Sequence, residues 1–147
     1  MLIWQHIIIL LYVFIALLGF MKGYRECKSK SNSYGKAGIF NLIGAFVWGD
    51  AVVFGIFWIA ASIIALLLDD WILFLLTISL FWVIRSLGEV IYWITQQFSE
   101  KKKDSPEKFW FIYIFKGEAT YFIYQIYWEC IAVVSLISSI YFAKIWF

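Results

Sequence analysis

Four stretches of this chain, residues 2–20, 38–68, 71–98 and 119–142, are apolar over lengths that a small water-soluble domain does not carry. A helix needs about 20 apolar residues to cross a ~30 Å hydrocarbon core, and each stretch approaches or exceeds that length. Hydrophobic residues make up 64% of the 147. A globule of this size has too much surface to hide them from water. The expected fold class is therefore all-α: a polytopic membrane protein, a bundle of four transmembrane helices forming one integral domain over residues 1–147. Segments 21–37 and 99–108 are polar and are expected to be cytoplasmic. Ser105-Pro106-Glu107 has the chemistry of a helix start, with Ser as cap, Pro in the first helical position and an acid in the first turn. Lys116-Gly117-Glu118 then reads as a break, which leaves 106–117 as a short interfacial helix before the last span.

Charge placement sets the expected topology. Segment 21–37 holds Lys22, Arg25, Lys28, Lys30 and Lys36 against Glu26, and the second basic segment holds Lys101, Lys102 and Lys103. Four spans put both on one side, which the positive-inside rule makes cytoplasmic. Both termini and the Asp69-Asp70 turn then face outward, with Trp4, Trp71 and Trp146 at the outer interface. Lys144 is the exception and can snorkel to water. The first span lacks the basic start and small-residue cleavage pattern of a secretory signal. A multi-pass protein of a bacterial-type cytoplasmic cell membrane is the expectation.

Function has to be sought among the charges at membrane depth, since each is unfavourable there by at least ~2.5–3.5 kcal/mol. On a helix starting at Gly38, Asp50 lies about 18 Å in; Arg85 lies about 21 Å from Trp71, and Glu129 about 15 Å from Ala119. Glu89 follows Arg85 by one turn and can pair with it. Thr77, Trp82, Arg85, Glu89, Tyr92 and Gln96 recur at helical spacing, as do Glu118, Tyr121, Gln125, Glu129, Ala132, Ser135 and Ser139. Such stripes belong inside a bundle. Three carboxylates around one guanidinium leave surplus negative charge, so Glu129 or Asp50 is expected to hold a proton or a cation near neutral pH. The candidate ligand or ion site is thus Asp50, Arg85, Glu89, Gln125 and Glu129, walled by Trp48 and Trp128, since aromatic faces beside carboxylates suit an organic cation. The alternative is that these charges only fix helix register.

No catalytic pattern stands out. A nucleophile elbow, a Walker A loop and an HExxH zinc site are missing, and His6 is the single histidine. Trp48-Gly49-Asp50 shares a Gly-Asp pair with intramembrane aspartyl proteases, but Val47 stands where their pattern needs glycine. No cofactor is expected. Cys27 and Cys130 lie in unlike surroundings and are not expected to pair. The short basic segments adjoin spans, so lipid headgroups explain them better than nucleic acid.

Three functional readings follow. The first is a small transport or binding protein for a proton, metal cation or organic cation, expected to be dimeric because four short helices barely enclose a path. The second is a non-catalytic subunit or assembly factor of a larger membrane complex, whose mark would be an unused small-residue face at Ala51, Gly55 and Ser62. The third is a lipid-acting intramembrane enzyme using Asn41, Glu89, Tyr92, Gln96 and Glu118.

Overall fold

A computed structural model of the chain describes residues 1–30, 32–99 and 119–147. The fold is all-α. Four helices are long and apolar enough to cross a membrane: α1 (Ile3–Lys30), α2 (Trp48–Leu67), α3 (Trp71–Phe98) and α4 (Ala119–Trp146). The protein is thus an integral membrane protein of the multi-pass kind. Helix 106–117, expected from the sequence, and Glu118 lie outside the described residues.

The chain divides into two compact units. Met1–Thr77 with Trp146 form one; Ile78–Ile145 with Phe147 form the other. Helix α3 runs through both.

In the first unit, α1 and α2 pack antiparallel at very short range because small residues line both helices. A methyl group on Gly55 would lie 2.8 Å from Phe20 Cβ and 3.0 Å from the Ala16 carbonyl oxygen, and one on Gly23 would lie 2.9 Å from the Trp48 carbonyl oxygen. Ala51 and Ser62 are fully buried in α2, as is Ala16 in α1. Membrane helices associate through such close backbone approach, since lipid gives no hydrophobic drive between them.

The expected second span, 38–68, is not one helix. Helix α2 starts at Trp48, and Gly38–Ile43 forms a 3-10 turn. Before it and after it the chain runs antiparallel: the Ala37 N–H donates to the Phe46 carbonyl at 2.9 Å, the Trp48 N–H to Gly35 at 3.0 Å and the Gly49 N–H to Ser33 at 2.9 Å. The 3-10 turn caps this hairpin, and Gly38 (φ 63°) and Gly44 (φ 78°) supply the left-handed backbone at its two ends. The hairpin does not hang off the helices. It folds back along them, with Phe40 and Ile43 beside Gly19. The Trp58 Nε1–H donates to the Ile43 carbonyl at 3.0 Å, and Trp58 stands about 15 Å along α2 from its start. The segment is therefore re-entrant, reaching roughly halfway up its own helix pair.

The turn between α2 and α3 is tight. Asp69 takes a left-handed conformation (φ 50°). Asp70 caps α3 by accepting from the Leu73 N–H at 2.9 Å, and it also accepts from Trp146 Nε1–H at 2.7 Å. Trp4 meets Trp71 edge to face at 5.4 Å. Asp69 takes the Met1 ammonium at 2.7 Å and His6 at 3.1 Å.

The second unit is held by rings. Trp93 and Tyr124 stack at 4.3 Å with Tyr121 beside them, and Tyr92 and Trp128 pack around this cluster. Gln125 Nε2 donates to Gln97 Oε1 at 2.9 Å and ties α4 to α3.

Candidate functional site

Irregular backbone at membrane depth survives only if protein satisfies its polar groups, and the first unit does this with side chains. Tyr12 donates its hydroxyl to the Leu42 carbonyl at 3.4 Å. With its amide oriented to satisfy both partners, Asn41 donates to Gly38 at 2.9 Å and Ala45 at 3.1 Å. Trp58 serves Ile43. Asp50 accepts from the Phe46 N–H at 3.3 Å. It stands in the first turn of α2, where the helix dipole favours its negative charge. The depth expected for Asp50 assumed a helix from Gly38; its observed place is about 3 Å from the helix start. Trp48 is buried next door, edge-on to Phe40 at 6.1 Å with the Lys22 ammonium 5.1 Å over its ring.

This re-entrant hairpin was not legible as such in the sequence. One signal was available. A helix from Gly38 to Leu68 would be about 46 Å long, half as long again as a ~30 Å core requires, and its excess begins with Gly38, Asn41 and Gly44.

In the second unit the structure brings together Arg85 and Glu89. Nη2 and Oε1 are 2.8 Å apart, with both side chains mostly buried at 15% and 13% exposure. The pair lies within one helix, four residues apart, so α3 itself satisfies part of each charge. Of the other members of the α3 stripe in this unit, Trp82 and Tyr92 are half-buried and Gln96 is buried; Thr77, half-buried, belongs to the first unit. Several hydroxyls are accounted for by their own helices. Thr77 donates to Leu73 at 2.8 Å, Ser139 to Ser135 at 2.8 Å, and Ser86 to Trp82.

Helix α4 separates its stripe. Tyr121, Ala132 and Ser139 are buried, and Gln125 and Ser135 are half-buried, but Glu129 is exposed. Four-residue steps cause this, since each advances about 40° around a helix of 3.6 residues per turn. From Tyr121 through Gln125, the second step carries Glu129 about 80° off the buried direction. No hydrogen bond or ion pair reaches it among the described residues. Trp128, its neighbour, packs on the aromatic cluster instead of standing over the carboxylate.

The Ala51, Gly55 and Ser62 face of α2 is fully used against α1 and is not open to a partner. Both cysteines are free. Among the described residues, no three His, Cys, Asp or Glu side chains group as a metal cage needs. The chain matches no family model, no curated protein and no solved structure.

Proposed function

We propose that the protein is a small membrane transport or binding protein for a proton or another small cation, with Glu129 as its working carboxylate. One observation carries this reading: Glu129 is exposed near the middle of a membrane helix, about 15 Å from its start, with no hydrogen bond or ion pair among the described residues. The other candidate charges have structural duties. Asp50 holds the hairpin, and Arg85 and Glu89 hold each other. Among the described residues Glu129 has none, and hydrocarbon opposes an ionised carboxylate by at least ~2.5–3.5 kcal/mol. Taking up a proton removes that penalty, and releasing it restores a charge that must find water or a partner. That alternation is what a carrier needs.

The chemistry around Glu129 favours the proton over the larger cations. A transition metal wants several ligands at fixed distance, and no such group occurs among the described residues. An aromatic cage for an organic cation needs rings that stand apart, whereas Trp93 and Tyr124 stack directly on each other. Gln125, one turn below Glu129, supplies a neutral hydrogen-bonding neighbour, and the Arg85–Glu89 pair contributes to the electrostatic field of the same unit. In this reading Asp50, Trp48 and Trp128 position elements and do not touch the ion. The basic segments face the cytoplasm and both termini face outward across a cell membrane. The subunit reading loses its best support, because the small-residue face of α2 is occupied by α1.

The test is flux and stability together. The purified chain is placed in liposomes containing a pH-sensitive dye, and a proton gradient is imposed. Wild type is expected to dissipate it and Glu129→Gln to lose that ability, while thermal stability in detergent near neutral pH stays level or rises. A Glu129→Gln variant much less stable at every pH from 5 to 9 makes the carboxylate structural and ends the proposal.

A further inference from the structure

Helix α1 outruns its partner at the end that carries the hairpin. Gly23 lies against the Trp48 carbonyl, level with the first residue of α2. The 20 residues of α2 already cover about 30 Å, the thickness of a hydrocarbon core. Residues 24–30 therefore carry α1 about 10 Å further, through a headgroup layer of roughly 5–8 Å. Three cations stand in a row at this end. Lys22, Arg25 and Lys28 are exposed, and three-residue steps set them on successive turns of the side away from Gly23 and α2. Two of them are braced by rings: the Lys22 ammonium is 5.1 Å from the Trp48 ring centre, and the Lys28 ammonium is 5.4 Å from that of Tyr24. Such contacts hold an ammonium in place and leave the N–H groups on its far side for an acceptor. Among the described residues, none of the three forms an ion pair with a carboxylate. Glu26, one turn after Lys22, is not bonded to it; Lys22 lies over Trp48 instead.

Like charges on neighbouring turns of a helix repel, and an anion between them turns that repulsion into attraction. The helix dipole favours cations only within the last turn of α1, which reaches Lys28 but not Lys22 or Arg25. The positive-inside rule counts charges and asks for no row. We propose that Lys22, Arg25 and Lys28 form a headgroup site for an anionic phospholipid. The flat Arg25 guanidinium can donate to two phosphate oxygens at once, and the two ammonium groups flank it as point charges. Tyr24, exposed beside the row, stands at headgroup level, where aromatic rings with a polar tip are favoured. The site is independent of the role of Glu129.

The test uses the full chain in detergent micelles, titrated with phosphatidylglycerol or phosphatidylcholine of identical acyl chains. Bound lipid is counted by native mass spectrometry. Wild type is expected to hold phosphatidylglycerol at least ~tenfold more tightly than phosphatidylcholine. A basic residue at an anionic surface contributes about fivefold in affinity. Each of Lys22→Gln, Arg25→Gln and Lys28→Gln should therefore weaken phosphatidylglycerol binding about fivefold, and the triple variant should erase the preference. Lys22→Arg combined with Lys28→Arg keeps the charge and should keep the preference, which separates loss of the site from loss of the fold. Replacing Lys101, Lys102 and Lys103 by Gln removes the same charge elsewhere and should leave the preference in place. Equal affinity of wild type for the two lipids overturns the proposal, and so does an equal loss in the 101–103 variant and the row variant. Displacement of the bound lipid by millimolar inorganic phosphate would also overturn it, making the row a site for the free anion.

Discussion

The two units treat polar groups at membrane depth in opposite ways. In the first, four polar side chains serve one stretch of backbone: Tyr12, Asn41, Asp50 and Trp58 satisfy the re-entrant hairpin between α1 and α2. In the second, Arg85 and Glu89 pair inside one helix and Glu129 is exposed. The first pattern is what a fold needs in order to stand. The second leaves a charge whose presence the packing does not require. Residue type alone does not separate structural from functional carboxylates in a membrane; what each one satisfies does.

The largest effect should come from crowding the first unit. Gly55→Ala puts a methyl within 3 Å of α1 backbone and side chain, and overpacking of this kind destabilises by about 1–3 kcal/mol. The matching change in the second unit, Gly88→Ala, meets nothing within 4 Å and should be neutral or gain up to about 1 kcal/mol from helix propensity. Thermal melts of both in detergent check the contrast. Equal losses would show that the close approach of α1 and α2 is not special.

Next is the hairpin's deepest anchor. Trp58→Phe keeps the ring in its place but removes the donor to the Ile43 carbonyl, leaving a buried acceptor unsatisfied at a cost of about 1–3 kcal/mol. Hydrogen exchange at 38–46 should rise in this variant while α4 stays protected. Exchange that rises evenly through both units would mean that the hairpin is not an element with its own stability.

The existence of four membrane helices was legible because apolar length is a property of composition in a window, and lipid leaves few alternatives. The α2–α3 turn at Asp69-Asp70 was legible for the same reason, as charge cannot continue a span. The hairpin was hidden because Gly38, Ile39, Phe40, Leu42 and Ile43 are as apolar as any helix, and hydropathy does not register φ. Only length and two glycines separated a helix from a re-entrant turn there. The turning of Glu129 away from Tyr121 was hidden by tolerance: four-residue steps read as one face over two positions but drift across three. The Arg85–Glu89 pair was visible because four-residue spacing on one helix fixes proximity without any tertiary information.

A third pair of changes sets the two carboxylates against each other. Asp50→Asn keeps an oxygen for the Phe46 N–H but loses the charge that the α2 dipole favours, a loss of about 0.3–1 kcal/mol. Glu129→Gln should move stability in the other direction near neutral pH. Both melts falling together would place Glu129 in the same structural class as Asp50 and erase the distinction between the units.

The smallest effect concerns the Asp69 contacts at the end of the first unit. A hydrogen bond from the Met1 ammonium holds the Asp69 carboxyl below the usual carboxylate range, and His6 acts in the same direction. A carboxyl group depressed in the folded state contributes stability above its unfolded value, about 3.9, and that contribution is lost as pH falls through the lower folded value. Stability from this contact should therefore be flat from neutral pH down to about 4 and decline only below it. The carboxylate is exposed, so salt screens it and the contribution is slight. Asp69→Asn should leave the melt at pH 7 almost unchanged and flatten the acid limb below pH ~4, most clearly at low salt. If Asp69→Asn instead shifts the melt between pH 5 and 7, the contact is governed by His6, and the acid limb belongs to another group in the first unit.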